Sequence, residues 1–205
     1  MAPIKSIIFY LSGIVVPPLK DCVAASMPGY SKIDFSKKRA LLKSTADLSM
    51  GKALLKDYLH EVISIGDLTL DAEKLEKEVL GHIKVNHDVL EVIAETEKLF
   101  KPVFICDYPS AWSQYLAEKL PSNKQIIGNT IFTDQMDLKD LELDLLEKTI
   151  KPLGYSPEYC LWFDAYEKRA MDALTYGAHA VIFVDARRLR REFVLREILP
   201  PLGNE

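Results

Sequence analysis

The chain has 205 residues, 48% hydrophobic and 27% charged, with 9 Gly, 11 Pro and a formal net charge of −4. A chain near this length buries roughly 70% of its unfolded surface and suits one folded domain with a full core. That excludes a disordered polymer, a collagen-like repeat and a small disulfide scaffold, and the acidic balance argues against a dedicated nucleic-acid binder. The three cysteines, Cys22, Cys106 and Cys160, are odd in number and far apart, and there is no CxxC. The four histidines (His60, His82, His87, His179) show no ligand spacing with them. No zinc site is expected, and reduced thiols in a cytoplasmic protein are the simplest reading.

The first element is a strand, Ile4–Tyr10, opening an apolar stretch that runs to Leu19. Gly13, Pro17 and Pro18 interrupt that stretch, and Tyr10 and Ser12 lie inside it, which reads against a signal peptide. No apolar run reaches the ~18 residues that span a bilayer. From Pro17 to Lys84 the pattern is helical (Lys37–Thr45, Lys52–Ile65, Asp71–Ile83) with no strand, and Asp71 suits an N-cap. Val85, Val89, Val92, Ile93, Thr96, Leu99 and Phe100 form a further helical stripe before a strand at Lys101–Cys106. Leu138, Leu141, Leu145, Leu146 and Thr149 predict a helix, with the acidic run Asp134–Glu147 as its solvated face. Then come a strand at Tyr159–Phe163, a helix through Ala170, Ala173 and Leu174, and a strand at Ala178–Val184. An amphipathic helix over Arg187–Leu199 ends the pattern, and its arginines read as a solvated face, not as a nucleic-acid or membrane surface. Short Val-, Ile- and aromatic-rich runs alternating with helices predict an α/β, Rossmann-like, doubly wound parallel sheet whose strands are buried on both faces. In such sheets ligands bind outside the carboxyl ends of the strands.

The order of elements and four local stretches resemble the haloacid dehalogenase-like superfamily with a helical cap. Ile7–Val16 is similar to the first motif, a strand running into Asp-x-Asp-Gly. Val103–Trp112 is similar to the second, a strand ending in Ser or Thr, and Gln135–Leu141 to the third, Gly-x-x-Lys-Pro-Asp. Cys160–Asp185 is similar to the fourth, a strand, Asp-Asp, a helix and another strand, and Ser44–Lys52 is similar to a cap segment of the family. The resemblance implies a core of residues 1–16 and 85–205 with an inserted all-helical cap at 17–84.

The resemblance also implies a chemistry: a nucleophilic Asp, a second Asp as general acid/base, Mg²⁺ held by the nucleophile and the fourth-motif acid, and a Ser/Thr and a Lys on the phosphate. The residues depart from it. The nucleophile position is Tyr10, the acid/base position Ser12, the lysine position Leu138 and the second fourth-motif acid Ala165; Gly13 and Asp164 remain. The second-motif position falls on Asp107, or on Cys106 if the strand is one residue shorter, and a carboxylate there repels phosphate. A phenol with an ordinary pKa near 10 replaces a carboxylate poorly in metal-assisted phosphoryl transfer. No metal and no cofactor are expected.

Each residue also has a plainer reading. Tyr10 is either a hydrogen-bond donor in a reshaped pocket or a filler of the emptied site. Ser12 shapes the turn before Gly13 or meets a ligand. Asp107 is a general base or a turn cap, and Asp164 a pocket carboxylate or a holder of loop amides. A buried strand thiol is the plainer reading of Cys106.

Two function readings follow. In the first, an apolar chamber between core and cap binds an uncharged small organic molecule and catalyses a cofactor-independent isomerisation, cyclisation or cycloaddition. Tyr10, Asp107 and Asp164 are then its catalytic groups, and Ser12, Cys106, Tyr108, Trp112, Leu138, Ala165 and Tyr166 its substrate contacts. In the second, the chain is a pseudoenzyme with its old site filled, serving as a binding or scaffold module. A residual hydrolase is a third. A small molecule is the expected partner, with no nucleic acid and no membrane, and a homodimer is left open.

Overall fold

The computed structural model describes residues 3–120 and 124–201. Strand β1 (Ser6–Tyr10) is buried along its whole length, because successive side chains point to opposite faces and both faces are covered. Ile7 and Phe9 enter one apolar layer, and Ile8 and Tyr10 the other. Four helices follow: α1 (Leu19–Ala25), α2 (Phe35–Ser49), α3 (Leu55–Gly66) and α4 (Ala72–Gly81). Asp34 and Asp71 start α2 and α4 by accepting hydrogen bonds from the Lys37 and Lys74 amides at 2.8 and 2.9 Å. Beyond them come α5 (His87–Thr96), β2 (Val103–Cys106), α6 (Ser113–Lys119), α7 (Lys124–Gly128) and β3 (Thr130–Phe132). The chain continues with α8 (Leu143–Ile150), β4 (Cys160–Asp164), α9 (Glu167–Tyr176), β5 (His179–Ile182) and α10 (Ala186–Leu195).

The five strands form one parallel sheet in the order β3-β2-β1-β4-β5. The fold class is the expected α/β doubly wound one. Strand order reverses at β1, so the crevice at the topological switch point opens at the carboxyl ends of β1, β2 and β4. On one face Phe9 stacks between Phe104 and Phe163, with centroids at 5.7 and 5.1 Å, and Phe193 of α10 meets Phe9 and Phe163 edge-on. On the other, Ile8, Tyr10 and Trp162 pack with Leu145, Leu146 and Ala173 of α8 and α9.

The helices inserted after β1 share the first of these layers: Leu41, Leu48, Tyr58, Val62, Leu75 and Val79 belong to the same buried cluster as Phe9. Hydrogen bonds tie them down as well. Trp112 Nε1 donates to Glu76 at 2.6 Å, and the Tyr115 hydroxyl to the Leu80 carbonyl at 2.8 Å. No helix among the described residues is long and apolar enough to cross a membrane.

Four expectations need correction. Strand β3 is absent from the sequence reading, because three residues are too few for a periodic signal. Strand β5 is not buried on both faces, since it forms the sheet's edge and its residues are half-buried or exposed. The acidic run is not one helical face: α8 starts only at Leu143, and Asp134 accepts hydrogen bonds from the Ser110 amide and hydroxyl, both at 2.8 Å. The last helix stops at Leu195, short of Leu199.

The central aromatic stack predicts its own weight. Phe9→Ala should destabilise the fold by about 3–5 kcal/mol, read as a lower denaturation midpoint in urea at unchanged slope.

Candidate active site

Three strand ends converge at the crevice: Tyr10 closes β1, Asp107 follows β2 and Asp164 closes β4. The loop leaving β1 turns sharply, with the Leu11 carbonyl accepting from the amides of Ile14, Val15 and Val16. Gly13 sits there at φ +87°, and a Cβ on it would come within 2.6 Å of the Ala165 Cβ. The turn therefore needs glycine both for its left-handed backbone and for the approach of the β4 loop.

Asp164 is fully buried, and its carboxylate is saturated by the protein. Arg169, from the first turn of α9, clamps it in two-pronged fashion, Nε to Oδ2 at 2.8 Å and Nη2 to Oδ1 at 3.0 Å. The Tyr166 amide donates to Oδ1 at 2.8 Å, and Trp162 Nε1 to Oδ2 at 3.4 Å. The Arg169 guanidinium also lies over two rings, 3.7 Å from the Tyr10 centroid and 4.5 Å from that of Tyr166. Although burial disfavours its charge, Tyr10, Asp164 and Asp107 hold Arg169 above its ordinary pKa.

Tyr10 has no exposed surface, and its hydroxyl has no hydrogen-bond partner among the described residues. Burial, and after it the charge of Asp107, push this phenol far above its usual pKa, so it stays protonated. Asp107 accepts a hydrogen bond from the Ser12 hydroxyl. Burial raises the Asp107 pKa, against the lowering effects of Arg169 and Ser12.

Above Arg169 remains a cleft of about 210 Å³, walled by Lys20 of α1, Leu42 and Ser49 of α2, Asp107, Tyr166 and Arg169. Ser49 also donates to the Asp107 carbonyl at 2.9 Å, while Thr133 donates to the Ser49 carbonyl at 2.6 Å, so α2 is fixed over the strand ends.

Of the candidates from sequence, Asp107 and Tyr166 line the cleft, while Tyr10 and Asp164 lie beneath Arg169 and Ser12 bonds to Asp107. The other expected substrate contacts lie outside this cleft. Cys106 is buried in the apolar layer on the far side of the sheet, and burial drives its thiol pKa up. Tyr108 donates to the Pro17 carbonyl at 2.5 Å and packs edge-on against Trp112, so both rings seal the joint to the inserted helices. Leu138 packs in the same cluster as Tyr10, and Ala165 against Gly13. Asp107 caps no turn, since the Ser110 amide is held by Asp134 instead. Pro18, Leu19, Leu42, Ala46 and Leu141 give the cleft apolar walls, and Lys20 and Arg169 enter it with Asp107. Arg169 was the residue sequence reasoning missed; its only signal is a cation five positions after a strand-end Asp, at the start of a helix.

No family model matches the chain, and no curated protein matches it. Solved structures do. A HAD family enzyme from Bacteroides thetaiotaomicron, solved with magnesium and inorganic phosphate, superposes with a TM-score of 0.67 at 10% identity, over 87% of this chain and 93% of that one. A predicted HAD-like family hydrolase from Porphyromonas gingivalis gives 0.66 at 16% identity, over 88% and 91%. The L-2-haloacid dehalogenase from Xanthobacter autotrophicus, with chloropropionic acid covalently bound, gives 0.62 at 15%, over 96% and 85%. The chain has the haloacid dehalogenase-like fold. At these identities the likeness speaks for the fold alone.

The Mg²⁺ that this fold commonly carries does not fit the residues present. Both Asp164 oxygens are taken by Arg169, and the phenol of Tyr10 stays protonated. A cation at this point would face the guanidinium, and among the described residues no three His, Cys, Asp or Glu side chains converge. The carboxyl that reaches the cleft wall is that of Asp107.

Two predictions follow from these pairings. Arg169→Ala leaves Asp164 buried and unpaired and should cost about 3–5 kcal/mol, and adding Asp164→Asn should recover part of it, measured as a double-mutant cycle by urea unfolding. For Asp107, the folded pKa lies above the unfolded value near 3.8, so the folded state holds its proton more tightly and stability is lost as pH rises through that window. Asp107→Asn keeps the Ser12 bond and removes this loss. Its stability relative to the wild type should therefore grow from pH 4 to pH 7.

Proposed function

We propose that this chain is a haloacid dehalogenase-like protein that no longer performs metal-dependent hydrolysis and acts as a binding or scaffold module. The observation that carries this reading is Arg169, which covers the ring of Tyr10 and occupies both oxygens of Asp164. The positions that would supply a nucleophile and a metal ligand are thereby filled from within the protein. The packing of Tyr10, Tyr108 and Trp112 supports the same reading over an isomerase or cyclase, because these side chains fill the space in which an organic substrate would react. The remaining cleft of about 210 Å³ is below the roughly 300–1,000 Å³ of ordinary small-molecule sites, so any ligand held there is small.

The test is turnover of p-nitrophenyl phosphate and of 2-chloropropionate, with and without Mg²⁺. No Mg²⁺-dependent turnover above background is expected from the wild type. Turnover that needs Mg²⁺ and disappears in Asp164→Asn would overturn the proposal. Calorimetric Mg²⁺ binding should emerge in Tyr10→Asp/Ser12→Asp only when Arg169→Ala is added, since the guanidinium must leave Asp164 first.

A further inference from the structure

The free edge of the sheet carries features that the strand-end site does not use. Strand β5 pairs with β4 on one side and ends the sheet on the other. The Phe183 amide donates inward to the Asp164 carbonyl at 2.7 Å, and by the alternation of a parallel ladder the N–H and C=O groups of Ala180 and Ile182 face outward. Such edges are normally blunted by a charge, a proline or a bulge. His179–Ile182 and the following Phe183 and Val184 contain no Pro and no Lys, Arg, Asp or Glu.

Helices α9 and α10 flank this edge on opposite faces of the sheet and turn it into a groove of about 470 Å³. Its lip is apolar: Met171 and Leu174 of α9, with Ile182 and Val184, are each between 44 and 53% exposed. Its α10 wall carries Arg188, Glu192 and Arg196. Helix α10 and the residue after it carry Arg187, Arg188, Arg190, Arg191 and Arg196 against the single Glu192. Arg190 pairs with Glu95 and Arg196 with Glu192, but Arg187, Arg188 and Arg191 make no ion pair among the described residues.

We propose that the β5 edge docks an extended, acidic segment of a partner protein, which adds to the sheet as a further strand. Main-chain hydrogen bonds to Ala180 and Ile182 supply register, the apolar lip takes alternate side chains, and the unpaired Arg188 selects carboxylates on the others. A second copy fits less well. Two β5 edges paired about a two-fold axis normal to the sheet would set α10 beside its own twin, arginines facing arginines. This inference does not depend on the strand-end site being inactive.

The probe is an end-capped octapeptide alternating Val and Glu, followed by fluorescence anisotropy with the full chain. Saturable binding that weakens with added salt is expected, and the same peptide with Lys for Glu should not bind. Arg188→Glu should weaken binding by about tenfold or more. Ile182→Pro, which removes an outward N–H at a position where an edge strand tolerates proline, should abolish it with the circular dichroism spectrum unchanged. Absence of binding, or binding unaffected by both substitutions, overturns the proposal. So does a wild-type dimer in sedimentation that Ile182→Pro converts to monomer, because the edge would then belong to a second copy.

Discussion

A carboxylate with no solvent exposure at the end of a central strand must be neutralised by something. In this protein the neutralising group is the side chain of Arg169, five residues further along the chain. Removing two charges from water costs several kcal/mol per ion, and the pair persists only where geometry is good and the remaining lone pairs are satisfied. Both conditions hold. The clamp is two-pronged, the Tyr166 amide and Trp162 indole complete the carboxylate's shell, and the guanidinium lies over two aromatic rings.

That pair decides how the rest of the crevice is organised. With Arg169 over it, Tyr10 is sealed, and its protonated phenol tolerates a dry position that a carboxylate could not occupy without a partner cation. The gap above is a small cleft, whose polar wall includes Asp107, Ser49 and Lys20. The inserted helices are correspondingly fixed. They share an apolar layer with the sheet and are hydrogen-bonded to it through Trp112, Tyr115 and Ser49. A lid that must open and close for turnover is usually drawn from the less stable parts of a fold, and this one is built into the core.

The sequence made the architecture legible because each signal was local. Runs such as Ile7–Tyr10 and Cys160–Phe163 are apolar at every position, as strands of a covered parallel sheet are, and Asp71 marked its helix start by side-chain chemistry alone. Tyr10, Ser12 and Ala165, standing where the resemblance implies acids, were equally visible. The site was legible only in part. Asp107 and Tyr166 do reach the cleft, but Cys106, Tyr108, Trp112 and Leu138 fall into packing layers, because adjacent strand positions point to opposite faces and a turn re-aims whatever follows. Strand β3 was too short to leave a pattern, and Asp134 looked like a surface acid until Ser110 was brought to it.

By itself, then, the sequence determined the parallel α/β class, the helical segment between the first strand and the rest, and the uncharged side chains at the first strand's end. These are properties of periodicity and composition over a few neighbouring residues. Only the tertiary structure decided what surrounds those side chains. A cation on one helix, a ring on the first strand and a carboxylate on the fourth meet because the sheet places β1 beside β4, and no pattern in the chain records that adjacency. The same holds for the open edge at β5. It is apolar in sequence like any buried strand, and it is exposed only because nothing in the fold pairs with its outer side.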